Sequence, residues 1–341
     1  MKAIRIHEHG PADVLKIDNI PEPACQDNLV KVQIKATALN HLDIWVRNGL
    51  PGIKIPLPLI MGSDASGIVV EVGDNIDNFN VGDKVVIQPG TIKQNSDDFT
   101  NNNINYSSTY GILGETENGV QAEYVSLPEY NLSMMLDDLT FEESASMQLV
   151  FMTSYQMLVT RAQLQENEYI LIYGATSGIG SSAIQIAKDL GAKIISTVGS
   201  EDKFDYALNM GSDYVLTHNE DIKDKINQIT SGKGIDVVCE HIGHATWKQS
   251  LSVLNKGGRI VTCGATTGSK VSIDLAHLFM KQQTIIGSTM ASLDSFNDVM
   301  KKIKDNRYRP FVDKVFSFNE VKQAHLRMEN REHFGKIVLV P

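Results

Sequence analysis

Residues 169–191 read YILIYGATSGIGSSAIQIAKDLG, and this stretch decides the fold. An apolar run over 169–173 has the length and composition of a buried strand. The segment 181–190 follows at once, with Ile184, Ile186, Ala187 and Leu190 near helical spacing. Between them, Gly174, Gly178 and Gly180 allow a tight turn and close approach of backbone to a ligand. A helix opening on such a turn presents unpaired N–H groups and the positive end of its dipole to a phosphate. The spacing is not a strict G-x-G-x-x-G, but the turn lies between strand and helix, as pyrophosphate binding requires. The reading is a dinucleotide site made by Gly174, Ala175, Thr176, Ser177, Gly178, Ile179 and Gly180.

Working outward, strand and helix patterns alternate after residue 169. Strands are expected at 194–198, 214–216, 237–240, 259–263 and 284–288. Helices are expected at 203–210, 222–230, 247–254 and 294–306. That alternation predicts an α/β fold with a doubly wound parallel sheet. Residues 1–90 differ. LVKVQIKA (29–36) alternates, GIVVEV (67–72) is a buried run, and KVVIQ (84–88) follows a Gly-Asp turn, which together suit a small β-barrel domain. A strand is expected over 121–127, and Thr140 with Glu143 forms a capping-box pattern ahead of a helix. Strands at 312–318 and 336–340 are expected to return to the first domain. The predicted division is therefore 1–125 completed by 290–341, with 126–289 inserted.

The composition narrows the function. At 42% hydrophobic and 21% charged, the 341 residues are ordinary for a globular protein. A net charge of −10 without any basic run argues against nucleic acid as partner. No apolar stretch approaches the ~20 residues of a membrane span, and the opening MKAIRIHEHG runs straight into strand-like alternation. Cys25, Cys239 and Cys263 are odd in number and far apart, so no disulfide framework is expected. A cytoplasmic enzyme acting on a small molecule is the reading.

Short-chain dehydrogenases carry a similar glycine turn near the N-terminus, with a Tyr-x-x-x-Lys downstream. Here the turn starts at residue 174, and neither Tyr206, Tyr214 nor Tyr308 has a lysine four residues on. The strings MKAIRIHEHGPADVLKI, Asn40-His41-Leu42-Asp43, GSDASGIVVEVG, VGDKVV, GATSGIG, NKGGRIVTCG and GKIVLVP instead resemble the medium-chain dehydrogenase/reductase superfamily across the whole chain. The resemblance implies a GroES-like β-barrel catalytic domain, a Rossmann domain, and NAD(P)H-dependent hydride transfer in the cleft between them. It also implies a homodimer or higher homo-oligomer, commonly formed through the Rossmann edge strand.

Within that superfamily, catalytic zinc needs three protein ligands and an open position. The first ligand, a cysteine in a Cys-x-x-Asp segment, is here Asn40, with Asp43 retained. The histidine of a Gly-His-Glu string is here Ser63, followed by Asp64. The third ligand falls near Leu149. An amide, a hydroxyl and an alkyl group do not make a zinc site, so none is expected. The family's four-cysteine lobe corresponds to residues 90–110, which contain no cysteine. Its Asn95, Asp97, Asp98, Asn101, Asn102 and Asn103 lack the spacing of a calcium loop and read as a solvated loop. The resemblance is thus to the zinc-free quinone oxidoreductase and enoyl reductase branch.

NAD-specific sheets end their second strand in an acidic residue; here that position is Val198. Gly199 and Ser200 leave room for a 2′-phosphate that Lys203 and His218 would pair, although Glu201 and Asp202 oppose it if they point inward. NADPH is the expected cofactor. His241, Gly243, Gly264, Ala265 and Ser288 end later strands and are expected near the ribose and nicotinamide, with Thr153 beside them. Lys336 is expected to reach the cofactor phosphates. Without a metal, hydrogen-bond donors must polarise the acceptor. Asn40 is the first candidate, Ser63 a second, and His41, Asp43 and Asp64 are the titratable groups nearest by sequence. The tyrosine that serves some enoyl reductases as proton donor has no counterpart in Asn48-Gly49-Leu50-Pro51, and Arg47 reads as a surface charge. The expected reaction is reduction of a quinone or an α,β-unsaturated carbonyl, with an enoyl-CoA such as acryloyl-CoA included. An alcohol dehydrogenase or aldehyde reductase, and an NADPH-binding protein without turnover, are the alternatives.

Overall fold

The computed structural model describes residues 1–92 and 103–341. It divides into two compact units: a split unit of residues 1–149 with 309–341, and an inserted unit of residues 150–308. Both limits lie further along the chain than the expected 125/126 and 289/290. The reason is local packing. The short helix Phe141–Ser144 sits on strands of the first sheet. The helix Leu293–Lys304 belongs to the inserted unit, where Lys302 donates to Asp189 at 2.8 Å. Asn95, Asp97, Asp98, Asn101 and Asn102, with the question of a calcium loop, lie outside the described residues.

In the split unit, Val30–Ala38 alternates buried and half-buried positions, as its sequence demands. It pairs antiparallel with Asp64–Val72, with Tyr124–Leu127 and with the C-terminal strand Lys336–Val340. Lys84–Ile87 and Leu132–Met134 extend the sheet on one side, and Val312–Ser317 on the other. A second sheet orders Lys16–Asn19, Lys2–Ile6 and Leu59–Ile60, and Ile4 N–H donates to Gln121 O to link it to the segment before Tyr124. Ile4, Ile6, Leu39, Leu59, Ile337 and Leu339 fill one core, and Val30, Val32, Val69, Val85 and Ile87 another. Each such side chain, fully buried, stabilises the fold by about 1.5–3 kcal/mol. The strand expected over 121–127 begins at Tyr124 because the backbone of Gln121 and Glu123 bonds to Lys2, Ile4 and Met61 instead. Thr140 and Glu143 form the expected capping box.

The inserted unit is a six-stranded parallel sheet among the described residues. Its order is Tyr214–Thr217, Lys193–Val198, Tyr169–Ile172, Ile235–Glu240, Leu254–Thr262 and Thr284–Gly287. Numbered along the chain, that order is the doubly wound 3-2-1-4-5-6. The helix after the glycine turn runs Gly178–Asp189 and so begins before the expected residue 181. Ser177 explains the difference: its Oγ caps the Gly180 N–H at 2.9 Å, which lets both glycines join the first turn.

Candidate functional site

The glycine turn is held from three directions. Gly174 adopts φ +61°, and its N–H donates to Thr197 Oγ1 at 3.2 Å. Ala175 N–H donates to Thr197 O at 2.8 Å, and Ser177 N–H to Gly174 O at 2.8 Å. A Cβ on Gly180 would lie 2.1 Å from Gly174 O, so the helix presses directly on the turn. Ser177 satisfies Gly180, and the N–H groups of Gly178 and Ile179 have no acceptor within their own helix. Two first-turn donors and a helix dipole converge where a pyrophosphate would bind. Thr176 is buried beside them.

The other strand ends collect at the same edge of the sheet. His241 is half-buried, and desolvation lowers its pKa, so the neutral ring donates from Nε2 to Tyr173 O at 2.8 Å. Glu240, fully buried, accepts from Ile242 N–H (2.8 Å), Gly243 N–H (3.1 Å), Thr246 Oγ1 and Ser250 Oγ (2.7 Å). This carboxylate shapes the turn carrying His241 and Gly243. Sequence reasoning passed over it, although an acid closing a buried strand before a glycine turn was the signal. Gly264 O accepts from Thr262 Oγ1, and Ala265 packs so tightly on Gly243 that a Cβ there would meet Ala265 Cα at 3.0 Å. Ser288 N–H donates to Thr262 O at 2.8 Å, while its buried Oγ has no hydrogen-bond partner among the described residues. Thr153 Oγ1 lies 3.9 Å from Met290 Sδ. Burial raises both Cys239 and Cys263, the latter to about 12, so neither is a thiolate nucleophile.

Gly199 and His218 come together at the end of the second and third strands: His218 N–H donates to Val198 O at 3.0 Å, and a Cβ on Gly199 would lie 4.0 Å from the imidazole. Ser200 is exposed and precedes the short turn Glu201–Lys203. No acidic side chain occupies the Val198 position where an NAD-specific sheet would need one.

The split unit holds a second polar cluster, and strand register builds it. Leu339 opposes Thr37 and Val338 opposes Ala38, so the same antiparallel register carries Lys336 to Asn40. Asp64 opposes Ala38 from the other side. Lys336 Nζ donates to Asn40 Oδ1 and, at 3.0 Å, to Asp64 Oδ2; Asn40 Nδ2 donates to the same Asp64 oxygen at 3.0 Å. Leu149 N–H supplies Asp64 Oδ1 at 2.9 Å. All three side chains are buried. Asp43 accepts from Asn40 N–H at 2.7 Å and from Gln121 Nε2 at 3.4 Å.

Several expected roles change. Lys336 is not a free cation awaiting phosphates: it is 4% exposed and committed to Asn40 and Asp64. Ser63 Oγ spends its proton on Leu113 O at 2.8 Å, so it has no donor to offer a substrate. Arg47 is no surface charge. It is 1% exposed and bound to Gly10 O, His325 and Glu329. His41 is half-buried and edge-on to Trp45, with centroids 5.2 Å apart.

Burial raises Asp43 to about 6, with Asp64 adding to the effect and the Asn40 N–H and Lys336 opposing it. A carboxyl whose folded pKa lies above its ordinary 3.8 contributes stability below that ordinary value and loses it as pH rises through about 6. Asp43→Asn removes this dependence. Relative to the variant, the wild type is expected to lose roughly 2 kcal/mol between pH 4 and 7. Equilibrium denaturation at stepped pH measures it, and parallel curves would refute the assignment.

The donors do not fit catalytic zinc. An ammonium lies within hydrogen-bonding distance of Asn40 and Asp64, Ser63 points to a carbonyl, and Leu149 offers only an alkyl chain. Among the described residues no group of three His, Cys, Asp or Glu side chains could hold a metal ion. The glycine turn and strand ends, by contrast, fit a dinucleotide.

Known proteins share this architecture. Residues 26–137 match the alcohol dehydrogenase GroES-like domain, and residues 178–305 the zinc-binding dehydrogenase domain. The chain is 32% identical to crotonyl-CoA carboxylase/reductase of Cereibacter sphaeroides, over 97% of this chain and 84% of that protein. It is 28% identical to human quinone oxidoreductase, over 100% of this chain and 98% of that one. The solved structure of an NAD-dependent alcohol dehydrogenase superposes with a TM-score of 0.96 at 37% identity, covering both chains completely. Domain pair, strand order and relatives together place this chain in the medium-chain dehydrogenase/reductase superfamily, to which it belongs.

Proposed function

We propose that this oxidoreductase is an NADPH-dependent, metal-independent reductase of quinones or α,β-unsaturated carbonyl compounds, enoyl thioesters such as acryloyl-CoA included. The observation that carries the reading is the Lys336–Asn40–Asp64 cluster, an organic cation and an amide where a zinc enzyme needs metal ligands. The inserted unit would hold the dinucleotide through Gly174–Gly180 turn atoms, with Gly199, Ser200, Lys203 and His218 around the adenosine ribose. The cofactor, when bound, supplies a hydride. The split unit supplies the polarising donor, Asn40 Nδ2. The similarity to a crotonyl-CoA carboxylase/reductase and to a quinone oxidoreductase supports this acceptor class.

Similarity to the NAD-dependent alcohol dehydrogenase favours a second reading, aldehyde reduction with NADH. One assay separates them. Chelator-treated enzyme is given NADPH or NADH with benzoquinone, methyl vinyl ketone, acryloyl-CoA, crotonyl-CoA or short aldehydes. Turnover of quinone or alkene with NADPH, unchanged by chelator or added zinc, is expected. Aldehyde reduction alone, or activity restored only by zinc, would overturn the proposal.

No helix among the described residues is long and apolar enough to cross a membrane, and we place the enzyme in the cytoplasm. A homodimer through the edge strand Thr284–Gly287 is supported by the exposed Leu275, Phe279 and Met280 on the neighbouring helix. Light scattering should give twice the 37.6 kDa chain mass, and Phe279→Glu should halve it. A monomer in the wild type would refute this arrangement.

A further inference from the structure

Asn40 has a fixed orientation. Its Oδ1 faces the Lys336 ammonium, a donor with no acceptor atom, and its Nδ2 faces the Asp64 carboxylate, an acceptor with no proton. Turning the amide over would set N–H against ammonium and oxygen against carboxylate. One Nδ2 proton goes to Asp64, and the other has no acceptor among the described residues. Lys336 comes from the far end of the chain, yet strand register delivers it to this one amide.

We infer that Lys336 is a positioning residue for the reduction: it locks and polarises the Asn40 amide, whose remaining Nδ2 proton meets the oxygen of the acceptor. This rests on the proposed role of Asn40. A cation at Oδ1 withdraws electron density from the amide nitrogen and strengthens Nδ2–H as a donor. In the step itself, the β-carbon of the unsaturated carbonyl would receive the hydride, with its electron pair, from the C4–H bond of the reduced nicotinamide, which breaks to leave the nicotinamide oxidised. The C=C pair shifts towards the carbonyl, and negative charge collects on its oxygen at the Asn40 N–H. A proton from water at the α-carbon completes the saturated product. Lys336 touches neither hydride nor acceptor; it acts through the amide. Two of its three protons are committed within the cluster and it is buried, which separates this role from anchoring cofactor phosphate.

The test compares Lys336→Met, Lys336→Arg, Asn40→Ala and the Lys336→Met/Asn40→Ala pair, with methyl vinyl ketone as acceptor and NADPH as donor. Since Lys336→Met leaves Asp64 unpaired in the interior, Lys336→Met/Asp64→Asn serves as a charge-balanced second version. Lys336→Met should lower kcat at least tenfold while the NADPH Kd, read by fluorescence, changes less than twofold. Lys336→Arg should recover most of the loss, and the pair should be no worse than Asn40→Ala alone. A weakened NADPH Kd with kcat preserved would overturn the inference in favour of a phosphate anchor. Losses from Lys336→Met and Asn40→Ala that multiply in the pair would also overturn it, because Lys336 would not then act through the amide. If Asn40→Ala lowers kcat and Lys336→Met does not, the inference fails alone. If Asn40→Ala is fully active, the underlying role of Asn40 fails.

Discussion

Replacing Asn40 with alanine is expected to cut kcat for an unsaturated acceptor by roughly 10²–10³-fold, the loss typical of removing one aligned donor to a developing oxyanion. NADPH affinity should hold, because the glycine turn and strand ends that would bind it belong to the other unit. Folding should hold as well. The helix His41–Asn48 keeps the half of its capping box in which the Asp43 carboxylate accepts from the Asn40 main-chain N–H at 2.7 Å, and losing the half made by the Asn40 side chain costs about 1 kcal/mol. Lys336 would keep Asp64 as partner at 3.0 Å. Asn40→Asp should be no better, since a carboxylate there faces Asp64 and carries no donor. Steady-state kinetics with circular dichroism on each variant measures these effects. A change in kcat below about threefold for Asn40→Ala would remove Asn40 from the chemistry.

Gly180→Val should abolish dinucleotide binding, with NADPH affinity reduced at least 100-fold and a lowered thermal midpoint. The Cβ would lie 2.1 Å from Gly174 O, 2.7 Å from Gly174 C and 3.0 Å from Ala175 Cα, all of them backbone atoms that cannot swing aside. The helix must therefore lift off the turn, which costs about 1–3 kcal/mol or more as overpacking and carries the Gly178 and Ile179 donors with it. Gly180→Ala should show the same losses in milder form. Fluorescence titration reports the affinity and differential scanning fluorimetry the midpoint. Undiminished NADPH binding in Gly180→Val would show that this turn does not hold the dinucleotide.

Much of the inserted unit was legible because its rules are local. A glycine turn between an apolar run and an amphipathic segment specifies strand, turn and helix within a few residues. The strands from 193 to 287 follow by the same alternation, most ends moving by one or two residues, while Leu254–Thr262 begins five residues before the expected 259. The earlier start of the helix at Gly178 depended on Ser177 as its cap, a single side-chain bond that hydrophobic spacing does not report.

The split unit was less legible where its contacts are remote in sequence. The resemblance put Asn40 and Ser63 at zinc-ligand positions, with Asp64 following Ser63. What joins Asn40 to Asp64 was not readable, because a lysine 296 positions away arrives by strand register alone. Ser63 and Arg47 illustrate the same limit. The residue types suggested a substrate donor and a surface charge; packing turned one hydroxyl towards Leu113 O and closed the guanidinium over His325 and Glu329.

By itself, then, the amino-acid order determined the α/β architecture and the glycine turn between its first strand and helix, because periodicity and glycine placement are properties of neighbours along the chain. Only the tertiary structure decided that Lys336 is buried against Asn40 and Asp64, and that burial raises the Asp43 carboxyl. Both depend on which groups are brought together and stripped of water, and burial and partnership are set by the whole fold.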